Sequence, residues 1–404
     1  MMPLPQRLHR QLGTPVTGDR FFDREAEVGQ LLDHLENGEH VLIASMRRIG
    51  KTSLMREVER RLEGKLACVF IDVEGCREAA DVIAELAAAT RPHQGLWSRA
   101  RAVFHNALDK VDEVQLEVIR VQLRDSLRGD WRPKADRLLA DLADGGPGVV
   151  VMIDELAILV HRMLEDDTRG RAEVDLLISW VREASIRHAG RIRFVIAGSV
   201  GLEPVLQRAG LTGQLNTFVP LDLEPWPRDV AAACLRALAA AHDHRWTEGA
   251  VEATLDKLGC YVPHHVQMFF HHLHAHAKRE GSVTTTPDDV ERVWRERMLS
   301  PRGHAELTHF EDRLRKVVPI GWEDQALLIL THAAVTGSVD HPQAAKLCRV
   351  EPPDDFIATR PVRRLLQVLE HDSYLRRDGD RLVFTSALVR AWWRERHGSG
   401  YRPT

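Results

Sequence analysis

Up to about residue 222 the chain alternates short apolar runs with longer stretches in which apolar residues recur every three or four positions. Five runs have the length and continuity of strands buried on both faces: HVLIA at His40–Ala44, LACVFID at Leu66–Asp72, VVVMID at Val149–Asp154, IRFVIA at Ile192–Ala197 and TFVPL at Thr217–Leu221. Helical periodicity separates most of them, which predicts βαβ units and an α/β fold with a parallel sheet. The interval 77–145 is mostly helical and contains ALDKVDEVQLEVIRVQLRDSL. It reads as a helical insertion lying on the sheet, ended by the Gly-Gly-Pro-Gly of Gly145–Gly148.

The pattern then becomes almost wholly helical. Pro225-Trp226-Pro227 marks a boundary, because proline disfavours helix in the residue before it and suits a helix start. Helices follow to about residue 298, and Pro301-Arg302-Gly303 marks the next joint. Beyond it, helices are expected over 304–317, 322–336 and 361–370. A hairpin pairs Tyr374–Arg377 with Arg381–Thr385 through Asp378-Gly379-Asp380, since Asp-Gly is a strong turn signal. An amphipathic helix, Ala387–Arg396, closes the pattern. It puts Arg390 and Arg394 on one face, with Trp393 partly on that face and Trp392 packed inward.

Composition changes this picture little. At 404 residues, a prior of roughly 100–200 residues per domain gives two to four domains. The hydrophobic share of 44% and charged share of 28% are those of a globular protein. No stretch approaches the ~20 apolar residues of a membrane span, so no membrane association is expected. The opening MMPLPQRLHRQLG has no apolar core behind its basic residues, so it does not read as a secretory signal, and a cytoplasmic location is expected. A net charge of −4 excludes a uniformly basic coat for nucleic acid but not a local basic face. Cys68, Cys76, Cys234, Cys260 and Cys348 are scattered and form no CxxC pair, so they read as small buried hydrophobes. In the tract HHLHAHAK, His271, His272, His274 and His276 do not share one helical face, so the tract reads as compositional rather than as a ligand set.

The chemistry lies at the ends of the strands. After the first run comes Ser45-Met-Arg-Arg-Ile-Gly-Lys-Thr-Ser, and GKTSLMREVERRLE then has helical period. Binding phosphate calls for converging backbone N–H groups, a helix N-terminus and a mobile cation. Gly50 lets the backbone approach, Lys51 reaches the β- and γ-phosphates, and the Thr52 hydroxyl ligates Mg²⁺. Ser45 stands where the pattern G-x-x-x-x-G-K-[ST] has glycine. A bare Gly-Lys-Thr is common; what makes this one specific is the strand before it and the helix after it. The third run, VVVMIDE, ends in two carboxylates, the Walker B form. Asp154 is the candidate Mg²⁺ residue, and Glu155 is placed to polarise the attacking water. Ser199, at the end of the fourth run, either senses the γ-phosphate or belongs to a plain strand-to-loop turn.

These residues resemble a known group, the STAND and archaeal-type AAA ATPases. Gly18-Asp-Arg-Phe-Phe-Asp-Arg-Glu-Ala-Glu-Val resembles their F-x-GRE-x-E-L lead-in, with Asp23 where glycine is usual. Ser45–Leu54 resembles their GPRRxGKTSL loop, and Val195–Ser199 their apolar strand ending in Gly-Ser. Leu258–Gln267 resembles the GGxPxxxQ lid motif, and Phe384–Trp393 the end of their winged helix. The resemblance spans roughly residues 18–396. It implies a P-loop NTPase of the ASCE/AAA-like class: an α/β parallel-sheet core followed by a helical lid and a winged-helix domain. The implied division is an extension over 1–17, a core over 18–225 carrying the insertion, a lid over 226–300 and a winged helix over 301–404. The implied nucleotide set is Ser45, Arg47, Arg48, Ile49, Gly50, Lys51, Thr52 and Ser53, with Phe21 and Arg24 of the lead-in near the adenine. Lys51, Glu155 and Ser199 are the catalytic candidates, Thr52 and Asp154 the metal candidates, and ATP and Mg²⁺ the cofactors.

Three functions fit. One is a molecular switch in signalling, regulation or defence that couples nucleotide state to its lid and winged helix, with a protein partner or a second copy of itself. Another is a DNA-associated initiator or loader that binds DNA through arginines of the winged helix: Arg376, Arg377, Arg381, Arg390, Arg394, Arg396 and Arg402. The third is a nucleotide-binding scaffold without turnover, against which Glu155 argues. In an oligomer, Arg182, Arg187, Arg191 and Arg208 are candidates for an arginine supplied in trans.

Overall fold

The computed structural model describes residues 8–403, apart from 109–115, 145, 147, 166–168, 199–200, 212, 301–306, 319–320 and 351–356. The chain divides into two compact units, one made of 24–47 and 51–223, the other of 1–23, 48–50 and 224–404.

The first unit is built on a five-stranded sheet of β1 (His40–Ala44), β2 (Ala67–Asp72), β3 (Val149–Asp154), β4 (Ile192–Gly198) and β5 (Phe218–Pro220), ordered β2-β3-β4-β1-β5. All neighbours are parallel. β3 and β4 are buried at every residue, which is why their sequences run apolar without alternation. β1 and β3 match the predicted bounds. Leu66 falls outside β2 because its N–H returns to the Leu62 carbonyl (3.0 Å) and finishes the preceding helix. Gly198 pairs with Ala44 and lengthens β4 by one residue. The register sets Asp72 beside Asp154 at the carboxyl end of the sheet. β4 lies between the strand that carries the lysine loop and the strand that carries the two carboxylates.

Within 77–145 the described helices are Ala79–Ala89, Gln94–Val103, His105–Leu108, Leu116–Leu127 and Trp131–Ala143. Ala79–Ala89 packs on β2 and on Leu116–Leu127, and its alanines allow close approach. Asp81 closes its N-terminus by accepting the Arg77 (2.7 Å) and Glu78 (3.3 Å) N–H groups, and it pairs with Arg124. The breaker at Gly145–Gly148 lies partly outside the described residues. Gly148 itself has φ +119, a backbone conformation that side chains strain, so glycine suits the position.

In the second unit, helices Arg228–Ala241, Ala250–Leu258, Pro263–Arg279 and Pro287–Val293 follow one another. Between them, β6 (Arg245–Trp246) and β7 (Thr284–Thr285) pair in parallel, too short to leave a pattern in the sequence. The histidine tract lies on Pro263–Arg279, where His265, His274 and His276 are buried. The rings of His242 and His244 each lie 5.4 Å from that of His274, and Phe270 stacks on His274 at 5.8 Å. Among the described residues no group of three or more His, Cys, Asp and Glu is arranged to hold a metal ion, and His274 of the tract packs among these rings. Four of the cysteines are buried and Cys348 is half-buried. Among the described residues no helix is long and apolar enough to cross a membrane.

Burial first, and then neighbouring positive groups, lower the pKa of His274 to about 4; burial likewise lowers His244. His40 in the first unit is also lowered by burial, and both its ring nitrogens are used: Nε2 donates to the Ser185 carbonyl (3.0 Å), and Nδ1 accepts from the Phe194 N–H (3.1 Å). A histidine held neutral binds fewer protons folded than unfolded. The stability it permits is therefore complete above the unfolded pKa near 6.5 and is lost as pH falls towards the folded value. We expect unfolding free energy to drop between pH 7.5 and pH 5, with His274 contributing up to about 2 kcal/mol. Denaturant titrations of the wild type and His274→Gln at both pH values check this. An equal drop in both proteins removes His274 from the account.

The last stretch holds helices Thr308–Val317, Glu323–Thr336, His341–Leu347 and Arg360–His371, then the hairpin β8 (Leu375–Asp378) and β9 (Arg381–Phe384), then Ala387–His397. The turn at Gly379 has φ +59, as expected for Asp-Gly. Val339 bonds Leu382 in both directions (2.9 and 2.8 Å) and adds a bridge to the hairpin. His341–Leu347 escaped the pattern because it is short; Asp340 and Gln343 form its capping box. Trp393 corrects an expectation. It does not share an exposed face with Arg390; it and Trp392 are both fully buried. Trp393 packs its ring against Tyr374 and Phe384 and sends its N–H to the Thr331 hydroxyl (3.3 Å).

Candidate nucleotide-binding site

β1 ends at Ala44, and the helix Lys51–Leu62 begins seven residues later. In the connecting loop Arg48 has φ +67 and Gly50 φ +104. Left-handed residues among right-handed ones turn successive N–H groups to one side, the geometry of anion-binding nests. A Cβ at Gly50 would meet no atom within 4 Å, so its dihedral rather than crowding demands glycine. The first turn of the helix carries no acidic residue, so no carboxylate competes with an anion for its free N–H groups.

Lys51 is buried and bends back over the loop, donating from Nζ to the carbonyls of Ser45 (2.7 Å) and Met46 (3.0 Å). The Thr52 hydroxyl donates to Asp154 Oδ2 at 2.6 Å, and the Glu155 N–H donates to Oδ1 at 3.0 Å. Asp154 is buried, and desolvation raises its pKa against the opposing Thr52 hydrogen bond. Its charged form is therefore short of compensation, which a cation would supply. A hydroxyl and a carboxylate oxygen in contact are also hard oxygen donors of the kind Mg²⁺ takes alongside phosphate, so the pair fits that ion. Glu155 has φ +60 and sits at the N-cap of helix Leu156–Leu164, half-buried.

Ser45 departs from the usual loop in a way the structure explains. Its Oγ accepts the Leu223 N–H at 2.7 Å, across 178 residues. Arg47 and Ser53 are half-buried beside these groups in sequence. In the lead-in, Asp23 and Arg24 both have positive φ, +60 and +72. Aspartate is among the residues that tolerate this region, so the turn survives without its usual glycine. Arg24 is buried and bonds Glu27 at 2.5 Å, while Glu25 pairs with Arg61 at 2.6 Å and ties the lead-in helix Glu25–Glu36 to Lys51–Leu62. That hydrogen bond from Arg61 lowers the pKa of Glu25.

The core unit thus brings together Ser45, Lys51, Thr52, Asp154 and Glu155, while Phe21, Arg48, Ile49 and Gly50 are counted with the other unit. Ser199 lies outside the described residues. Sequence reasoning missed Asp72, which the register sets beside Asp154; the only available signal was that both strands end in aspartate. It also missed the Ser45–Leu223 contact, for which the sequence has no signal. Of the arginines considered for a role in trans, Arg187 already lies 3.2 Å from Asp136.

No protein-family model matches the chain, and no curated protein matches it. Solved structures do. The Walker-type ATPase PABY2304 of Pyrococcus abyssi is similar over 95% of this chain and 99% of its own, at 16% identity and a TM-score of 0.65. The Aeropyrum pernix ORC2 protein, solved as ADPNP–ADP complexes, is similar over 93% of each chain, at 16% identity and a TM-score of 0.52. At such identity the likeness is one of fold, and the fold of this chain is that of the Walker-type P-loop ATPases.

Proposed function

We propose that this protein binds and hydrolyses ATP with Mg²⁺ and works as a molecular switch, coupling nucleotide state to a helical lid and a winged helix. The observation that carries the reading is the 2.6 Å contact between Thr52 and Asp154, residues 102 apart in sequence and each next to a catalytic candidate, Lys51 and Glu155. The helix N-terminus at Lys51 and the loop N–H groups hold the phosphates. Lys51 exchanges its two loop carbonyls for phosphate oxygens, so its charge is already in place and needs little reorganisation. Thr52 and Asp154 hold Mg²⁺, which supplies positive charge to the β- and γ-phosphates when bound. Glu155 takes the proton of the attacking water, and Ser199 orients that water or senses the γ-phosphate. Phe21 and Arg24 lie in the lead-in assigned to the adenine side.

The regions assigned are a core over 18–225, a lid over 226–300 and a winged helix over 301–404. The order of helix, bridge, two helices and hairpin from Glu323 to Phe384 supports the last of these. The partner is a protein or a second copy of the chain, and the location proposed is the cytoplasm. A duplex-binding role for the hairpin is less favoured. Arg377 is paired with Glu370 (2.9 Å) and Arg396 with Glu311 (2.7 Å), Arg381 donates to the Ser338 hydroxyl (3.3 Å) and Arg390 to the Ala334 carbonyl (3.2 Å). Those arginines are engaged within their own unit rather than arrayed for phosphates.

Asp154→Asn tests the metal half of the site. The amide keeps the shape and removes a buried charge, so Tm without ligand should be equal to or above that of the wild type. The extra rise in Tm that Mg²⁺ gives in the presence of ATP should disappear. If Mg²⁺ raises Tm equally in both proteins, the assignment of Asp154 fails.

A further inference from the structure

The Ser45 side chain continues a ladder that its backbone has left. Just past β5 the Leu221 N–H bonds the Leu42 carbonyl of β1 at 2.9 Å. Parallel pairing would next bring the Leu223 N–H to a carbonyl two residues further along β1. That N–H instead meets the Ser45 hydroxyl at 2.7 Å. Glycine, the usual residue at this place in the loop, has no group to do this. The carbonyl of the same residue accepts from Lys51 Nζ at 2.7 Å. One peptide unit and its side chain therefore join the mobile cation of the phosphate loop to the last residue of the core unit, since Glu224 opens the third stretch of the other unit.

We propose that Ser45 is a positioning residue that reports occupancy of the phosphate loop to the chain leaving β5; this rests on the nucleotide-binding reading above. Without nucleotide, Lys51 holds the Ser45 carbonyl and the Ser45 hydroxyl holds Leu223. When phosphate oxygens draw Lys51 away, Ser45 loses one of its two anchors and its hold on Leu223 loosens. The segment that loosens, Leu223–Glu224, leads directly into Pro225-Trp226-Pro227, whose prolines transmit a change in direction stiffly.

The test is amide exchange at Leu223, resolved by residue, in the wild type, Ser45→Ala, Ser45→Gly and Ser45→Thr. Without nucleotide, Ser45→Ala and Ser45→Gly should exchange about fivefold faster than the wild type, the factor that one lost neutral hydrogen bond gives. Ser45→Thr, which keeps a hydroxyl, should restore the slow rate. With ATP and Mg²⁺ at concentrations that saturate each protein by titration, the wild-type amide should speed up by about the same factor, while the alanine and glycine variants should not respond. Equal exchange in the wild type and both hydroxyl-free variants without nucleotide overturns the proposal. A wild type that binds ATP with no change at Leu223, or an alanine variant that responds as the wild type does, also overturns it and leaves the nucleotide site standing. A wild type that binds no ATP overturns both.

Discussion

Replacing Lys51 by alanine is expected to weaken ATP binding at least about tenfold, or ~1.4 kcal/mol. The side chain is buried, and its ammonium is satisfied by two loop carbonyls at 2.7 and 3.0 Å. Neutral carbonyls are weaker partners for a buried cation than phosphate oxygens, so transfer to the phosphates gains charge-assisted bonds. Alanine forfeits that gain and leaves two carbonyls facing the nucleotide's negative charge. Arginine is not a conservative rescue, because a planar guanidinium cannot fold back into a space shaped for a point charge. Titration of the wild type and Lys51→Ala with labelled ATP in the presence of Mg²⁺ measures the effect. Superimposable curves would remove Lys51 from the site.

Replacing Glu155 by glutamine should slow hydrolysis by roughly 10²-fold or more while ATP stays bound, because the amide keeps the shape and is a poor base. The location of the residue favours a clean result. Its backbone stands at φ +60, where it caps the helix Leu156–Leu164, and its N–H bonds Asp154 Oδ1. Those restraints act through the backbone and persist in the variant. Single-turnover hydrolysis of prebound ATP separates the chemical step from binding. A variant that turns over at the wild-type rate would show that another group takes the proton.

The parts of this architecture that sequence could reveal are those whose physics is local. β1 and β3 could be bounded to the residue because a parallel strand covered on both faces has to be apolar throughout. Lys51, Thr52, Asp154 and Glu155 could be singled out because phosphate and Mg²⁺ demand particular groups at the ends of such strands. The parts that escaped depend on pairing across the chain. Asp72 becomes a neighbour of Asp154 only through the β2–β3 register. The partner of the Ser45 hydroxyl lies 178 residues away. Trp393 lies on the arginine side of its helix by periodicity, yet packing against Tyr374 and Phe384 buries it. His341–Leu347 was within reach, since Asp340 and Gln343 carry the spacing of a capping box.

The place of β4 between β1 and β3 sets a length as well as an order. Neighbouring strands lie ≈ 4.8 Å apart, so the backbones carrying the lysine loop and the carboxylates are held roughly 10 Å from each other. The loop after β1 closes part of that distance, because Thr52, on the helix Lys51–Leu62 that the loop leads into, meets Asp154 at 2.6 Å. β4 therefore acts as a spacer of fixed width, and the width belongs to the hydrogen-bond ladder rather than to any side chain. Mutations that change side-chain bulk in β4 can alter the packing of the helices above and below it while leaving this separation intact. An inserted or deleted residue in the same strand would disturb the ladder on both edges at once, and with it the alignment of loop and carboxylate, although neither of those segments had been changed.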